Sequence, residues 1–167
     1  MDAVIIAGGK GTRLGLKDIP KPMVDFNGIP LIHHQINELN KFKEINNIYI
    51  LSGYLSSVIV SYFDKFKFEG NKIIHIVESK PLGTAGALKQ LENYISGRFI
   101  VIYGDTFFDI NISKFINYDN KNGGNLGTLF VHPNDHPYDS DLLIVKNSLV
   151  KKILTKPHSK DSLRRNI

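Results

Sequence analysis

A chain of 167 residues with 42% hydrophobic and 22% charged side chains has ordinary globular composition, and its length suits one domain burying roughly 70% of its unfolded surface; collagen-like and disordered chains are excluded. With no cysteine it holds neither a disulfide framework nor a thiolate zinc site, and no apolar run nears the roughly 20 residues of a membrane span. The formal charge of +5 is uneven: from Lys146 onward seven Lys or Arg face Asp161 alone, which reads as a solvated basic tail rather than the aromatic-studded basic face of a nucleic-acid binder.

The start, with Asp2 ahead of the first apolar run and no basic segment before it, reads as a mature cytoplasmic N-terminus rather than a signal peptide. Asp2–Ala7 is rich in β-branched residues and stops at Gly8-Gly9, the pattern of a buried strand handing over to a loop. A long Gly-, Pro- and Lys-rich segment follows, and connections of such length in a compact domain are usually functional or disordered. A helix opens after Pro30, with Leu31, Ile32, Ile36 and Leu39 on one face. Strand Ile48–Leu51, helix Tyr54–Phe66, strand Lys72–Val77, helix Gly83–Ile95 and strand Phe99–Tyr103 then alternate. Such alternation predicts an α/β fold in three αβα layers, with mostly parallel strands, right-handed crossovers and helices on both faces. Beyond Asp105 the spacing predicts a helix over Ile112–Tyr118 and strands over Leu126–Val131, Leu142–Val145 and Leu149–Leu154. Asn122-Gly123-Gly124-Asn125 and Asn147-Ser148 supply the turns, and the last two strands are expected to pair as a hairpin. No repeat or low-complexity linker divides the chain, so residues 1–167 read as a single domain.

Four segments carry chemistry. Gly8-Gly9-Lys10-Gly11-Thr12-Arg13-Leu14 directly follows the first strand. It is not a Walker A loop, because no Gly-Lys-Ser/Thr closes it, nor a dinucleotide fingerprint, because Leu14 replaces the last glycine. Glycines still let backbone N–H groups approach phosphate oxygens, and Arg13 offers a planar charged fork; a glycine-rich turn with a surface arginine is the alternative. In Pro20-Lys21-Pro22-Met23 two prolines fix the backbone around Lys21, placing it to neutralise a phosphoryl group; the alternative is an exposed lysine in a Pro-rich loop. Tyr103-Gly104-Asp105 stands at the carboxyl end of an apolar strand, where α/β sheets bind ligands and a carboxylate can take a hard cation such as Mg2+. Asp109 is close by and reads equally as a turn cap. The segment from Glu78 through Pro81-Leu82-Gly83-Thr84-Ala85-Gly86 puts a small-residue loop at a helix start, suited either to a flat base or to tight helix–sheet packing.

In this order the four segments resemble the signature of the sugar-phosphate nucleotidyltransferases: Gly-Gly-x-Gly-Thr-Arg-Leu, Pro-Lys-Pro-Met, a Gly-Thr-Ala loop, and Gly-Asp after a hydrophobic strand. They stand here as Gly8–Leu14, Pro20–Met23, Gly83–Ala85 and Gly104-Asp105, and the likeness covers nearly the whole chain. The stretch from Val131 to Asp141 is similar to the branch that activates heptose or mannose 1-phosphate with GTP, often fused to a haloacid-dehalogenase-type phosphatase. The resemblance implies a Rossmann-like fold with a nucleotide-binding portion over 1–110 and the start of a sugar-binding portion over 111–167. It implies transfer of a nucleoside monophosphate from a nucleoside triphosphate, GTP foremost, to a sugar 1-phosphate, with release of pyrophosphate. By motif matching, Gly8, Gly9, Gly11, Thr12 and Arg13 would hold the triphosphate, and Lys21 would sit on phosphates at the reacting centre. Gly83 and Thr84 would line the base pocket, and Asp105 would bind Mg2+. Arg13, Lys21 and Asp105 are the expected catalytic set.

The family's later Glu-Lys-Pro stands here as Thr155-Lys156-Pro157, so Lys156 carries over to the sugar phosphate while the glutamate's sugar contact has no counterpart. The family's domain continues past the position of Ile167 with a second metal-binding aspartate, and the chain is therefore expected to be C-terminally incomplete. That leaves a non-catalytic nucleotide-binding fragment or regulatory module as the alternative to an enzyme, with an RNA contact through the basic tail as a third reading. A homo-oligomer and a fused or partner phosphatase are open options; neither nucleic acid nor membrane is an expected partner. His132 and His136, beside Asp135 and Asp139, have zinc-like spacing, but two prolines interrupt them and no helix carries them, so they read as a polar turn.

Overall fold

The computed structural model describes residues 1–9, 18–66, 68–133, 137–138 and 140–158. The chain divides into two compact units, Met1–Gly123 and Gly124–Ile167. In the first, β1 (Asp2–Ala7) leads through a short 3-10 turn (Lys21–Met23) to β2 (Asp25–Phe26) and β3 (Ile29–Pro30). Next come α1 (Leu31–Leu39), β4 (Asn47–Ser52), α2 (Ser56–Lys65), β5 (Lys72–Val77), α3 (Gly83–Lys89), β6 (Phe99–Tyr103) and α4 (Ile112–Lys121). The strands β5-β4-β1-β6 form one sheet in that order, all neighbours parallel.

The register explains the layers. Ala3 lies opposite both Ile48 and Ile100, and Val4 opposite Tyr49 and Val101, so side chains sort by strand parity. Ala3, Ile5, Ile48, Ile50, Ile100 and Ile102 face one side. There they meet Ile32, Ile36 and Leu39 of α1, Ile59 of α2, and Ile112 and Ile116 of α4. The 3- and 4-residue spacing of those helical residues is what makes a single apolar stripe. Val4, Tyr49 and Leu51 face the opposite side, covered by Ala87 of α3 and by Leu91. The expected three layers with helices on both faces are present; among the described residues three helices lie on one face and one on the other.

Several boundaries differ from expectation. The helix expected to reach Ile95 ends at Lys89, and the chain continues as tight turns, with Gln90, Leu91 and Glu92 donating to the carbonyls three residues back. Those turns carry Leu91 into the core beside Ala87. The second expected helix begins at Ser56 because Leu55 adopts φ 53°, a left-handed conformation outside a helix. Asn111, not Asp109, caps α4, its side chain accepting from the Lys114 N–H at 2.9 Å. The hairpin of β2 and β3 turns at Asn27-Gly28, both at positive φ, a two-residue signal legible in the sequence.

The second unit contains the antiparallel hairpin of β7 (Leu142–Lys146) and β8 (Leu149–Leu154), turning at Asn147-Ser148 as expected. Leu126–Val131, expected as a strand, is irregular, and Leu126, Leu129, Phe130 and Val131 are exposed. An apolar run becomes a strand only when it pairs with another strand, and among the described residues this run belongs to no sheet. Among the described residues no helix is long and apolar enough to cross a membrane.

Candidate functional site

The carboxyl ends of the four parallel strands converge on a cavity of about 640 Å³, within the range of small-molecule sites. β1 delivers Gly8 and Gly9, β4 delivers Gly53 and Tyr54, β5 delivers Glu78, and β6 delivers Tyr103 and Asp105. The Pro-rich loop adds Lys21 and Pro22, and the start of α3 adds Gly83 and Thr84. Of the residues singled out in the sequence, Gly8, Gly9, Lys21, Gly83, Thr84 and Asp105 are thus brought together in one place. Gly11, Thr12 and Arg13 lie outside the described residues. Lys156 belongs to the second unit, where its backbone N–H donates to the Asp141 carboxylate at 3.0 Å. His132 Nδ1 lies 2.7 Å from the Pro133 carbonyl oxygen; His136, Asp135 and Asp139 lie outside the described residues.

Lys21 is held as its flanking prolines predict. Pro20 is extended, Met23 N–H donates to the Pro20 carbonyl at 2.8 Å, and Pro22 is buried, so the lysine stem leaves a fixed turn. Asp105 is held by Gly104, whose N–H donates to the Ile6 carbonyl of β1 at 2.8 Å. A Cβ at residue 104 would lie 2.9 Å from that same carbonyl oxygen and 2.9 Å from Pro22 Cγ. Only glycine lets the turn after β6 lie this close to β1 and to the lysine loop. The consequence is an ion pair: Lys21 Nζ lies 2.9 Å from Asp105 Oδ2, although 84 residues separate them. Gly83 takes φ +69° at the opening of α3, a conformation that disfavours any side chain.

Asp105 is half exposed, and its side chain borders the cavity. Among the described residues no three His, Asp or Glu side chains converge to cage a metal, and Asp105 offers a single carboxylate at the cavity. Magnesium accepts that arrangement, keeping several waters and taking one or two carboxylates together with phosphate oxygens. One accessible carboxylate beside a phosphate-sized space and a lysine fits it.

Glu78 is an ionisable cavity residue given no role of its own in the sequence. It is half-buried, and burial pushes its carboxyl above the usual range. Its position one residue past β5, matching Gly8 past β1, Gly53 past β4 and the Gly104-Asp105 turn past β6, is the signal that marks it.

The nucleotidyl transferase family model matches residues 2–162, and the chain belongs to that family. A D-glycero-alpha-D-manno-heptose 1-phosphate guanylyltransferase from Campylobacter jejuni is 42% identical over 116 residues, covering 68% of this chain and 52% of the relative. A bifunctional protein GlmU from Methanococcus vannielii is 38% identical over 125 residues, covering 74% of this chain and 29% of the relative. The crystal structure of HddC from Yersinia pseudotuberculosis complexed with GMP-PN is similar at a TM-score of 0.77 and 33% identity, covering 94% of this chain and 70% of that one. The chain thus spans from under a third to about half the length of these curated relatives.

Proposed function

We propose that the chain carries the nucleotide-binding part, residues 1–110, and the beginning of the sugar-binding part, residues 111–167, of a cytoplasmic sugar-1-phosphate nucleotidyltransferase. An oxygen of the sugar 1-phosphate bonds to the α-phosphorus of a nucleoside triphosphate, the α-phosphorus bond to the bridging oxygen breaks, and pyrophosphate leaves with that oxygen. The observation that carries the reading is the pairing of Lys21 with Asp105 at 2.9 Å beside a cavity bordered by Gly8, Gly9, Gly83 and Thr84. The names of the C. jejuni and Y. pseudotuberculosis relatives, a guanylyltransferase and a GMP-PN complex, support GTP as the triphosphate.

The attacking phosphate oxygen is already ionised at neutral pH, so the residues need supply no general base; their work is placement and charge. Lys21 neutralises phosphoryl oxygens, exchanging Asp105 for them when the triphosphate arrives. Backbone at Gly8 and Gly9, with Gly11, Thr12 and Arg13 by motif, cradles the triphosphate. Gly83 and Thr84 border the base, and Lys156 serves the sugar phosphate. Asp105 would hold Mg2+, which when bound screens phosphate charge and orients the triphosphate.

The test is incubation of the chain with Mg2+, GTP and mannose or heptose 1-phosphate, following pyrophosphate and identifying the diphosphosugar by mass spectrometry. Lys21→Ala and Asp105→Ala are each expected to lower turnover on the order of a hundredfold or more. Full activity in both variants overturns the assignment, and triphosphate binding without product for any sugar 1-phosphate leaves a binding module in its place.

A further inference from the structure

The buried stripe of α1 is apolar at Ile32, Ile36 and Leu39, yet Gln35 stands among them at 2% exposure. A buried glutamine loses more side-chain freedom and more hydration than a leucine would, so the reason for it lies in what its amide touches. Nε2 carries two N–H groups and both are used. One donates to the Tyr103 carbonyl at 2.9 Å and the other to the Thr106 carbonyl at 2.6 Å, across 68 and 71 residues of sequence. Both partners are acceptors, which requires the nitrogen of the amide, not its oxygen, to face them. Oε1 is buried and has no partner among the described residues, so the side chain is oriented by its donors. Tyr103 and Thr106 are the first and last residues of the turn after β6, which Thr106 N–H closes onto the same Tyr103 carbonyl at 3.1 Å. Between them stand Gly104 and Asp105. With Gly104 N–H on the Ile6 carbonyl at 2.8 Å, the turn is fastened to β1 on one side and to α1 on the other. Gly104 has no side chain, so what this segment presents to Lys21 and the cavity is the Asp105 carboxylate.

We propose that Gln35 is a positioning residue for the nucleotidyl transfer read above, on which this inference rests. By holding the carbonyls at both ends of the turn it fixes where the Asp105 carboxylate stands, and thereby how well that carboxylate takes up the Mg2+ carried by a triphosphate. Gln35 acts through the backbone alone, from inside the core. A side chain of the same length without N–H donors deprives both carbonyls of the amide and loosens the turn. Mg2+ demands near-ideal octahedral geometry, so it tolerates little displacement of a carboxylate.

The experiment measures GTP dissociation constants of the whole chain by calorimetry, with Mg2+ and with EDTA; the ratio of the two is the gain from the metal. Gln35→Met, an unbranched apolar side chain of matching length, is expected to reduce that gain about tenfold or more, the usual effect of removing a group that orients a metal ligand. Its GTP affinity in EDTA is expected to match the parent's. Gln35→Asn, whose amide is one methylene too short to reach both carbonyls, is expected to fall between parent and Gln35→Met. Asp105→Ala should abolish the gain, and adding Gln35→Met to it should change nothing further. Ile36→Ala, the next residue of α1, should lower stability and leave the gain intact, which separates positioning from destabilisation. A parent-like gain in Gln35→Met, or in Gln35→Asn should the methionine variant not fold, overturns the role of Gln35; so does an equal loss in Ile36→Ala. In either case loss of the gain in Asp105→Ala leaves the nucleotidyl-transfer reading standing. A parent-like gain in Asp105→Ala, or no binding of GTP at all, overturns both.

Discussion

Replacing Gly104 by alanine tests the packing that brings Lys21 and Asp105 together. The added Cβ would approach the Ile6 carbonyl oxygen and Pro22 Cγ to 2.9 Å each, about half an ångström inside ordinary contact at 3.4 Å. Neither neighbour yields readily: Ile6 lies in β1 with a strand on each side, and Pro22 is a buried ring in a 3-10 turn. Relief therefore comes from displacing the turn, at an overpacking cost of about 1–3 kcal/mol and some part of the roughly 1 kcal/mol hydrogen bond from Gly104 N–H to Ile6. A loss of about 2–3 kcal/mol is expected, read from urea unfolding curves monitored by circular dichroism. Gly9→Ala is the control, since Gly9 has open space around its Cβ position and no positive φ; it should stay within about 0.5 kcal/mol of the parent. A Gly104→Ala stability as close to the parent as the control's would refute the close-approach argument.

Three further outcomes are expected. Ile36→Ala removes a fully buried side chain between α1 and the sheet and should cost about 2–5 kcal/mol in the same unfolding assay; a loss under 1 kcal/mol would place Ile36 outside the core. Gly83→Ala forces a side chain into φ +69° and should cost about 1–2 kcal/mol, with a parent-like midpoint contradicting the left-handed assignment. His75 packs against Phe63, with both ring nitrogens buried and unpartnered, and burial lowers its pKa against a smaller opposing effect of Asp64. The unfolded chain then takes up a proton near pH 6.5 that the folded chain refuses, so stability falls as pH drops below about 6.5. His75→Phe should flatten the fall between pH 7.5 and 5.5. His33, also lowered chiefly by burial, keeps some slope, and parallel profiles for parent and variant would count against the buried neutral imidazole.

Much of the parallel sheet was legible because its strands announce themselves locally. Lys72–Val77 and Phe99–Tyr103 are β-branched or aromatic runs stopped by turn residues, and their bounds are as expected. Leu126–Val131 carries a similar local signal and forms no strand, because pairing depends on a partner that local composition does not encode. The residues that border the cavity were legible where chemistry and backbone constraint coincide, as in Lys21-Pro22 and Gly83-Thr84. Lys21 and Asp105 were each assigned to phosphate or metal, yet their contact with one another arises from the β1–β6 register and Gly104, information spread over the whole first unit. Glu78 escaped because a lone acid after a strand looks like any solvated residue until the glycines of two other strands are seen beside it.

The central place of β1 in the sheet has a consequence during synthesis. Asp2–Ala7 leaves the ribosome ahead of both strands it pairs with, Ala3 lying opposite Ile48 on one side and opposite Ile100 on the other. At typical elongation of about 5–20 residues per second, the second partner follows roughly 5–20 s after the first strand has emerged. For that interval Val4, Ile5 and Ile6, apolar and rich in β propensity, have an open edge that any other nascent chain can occupy. The segment most deeply committed to the finished core is the one that waits longest for its neighbour, so yield of folded protein should respond to translation speed and to holdase chaperones more than to the modest charge of the surface.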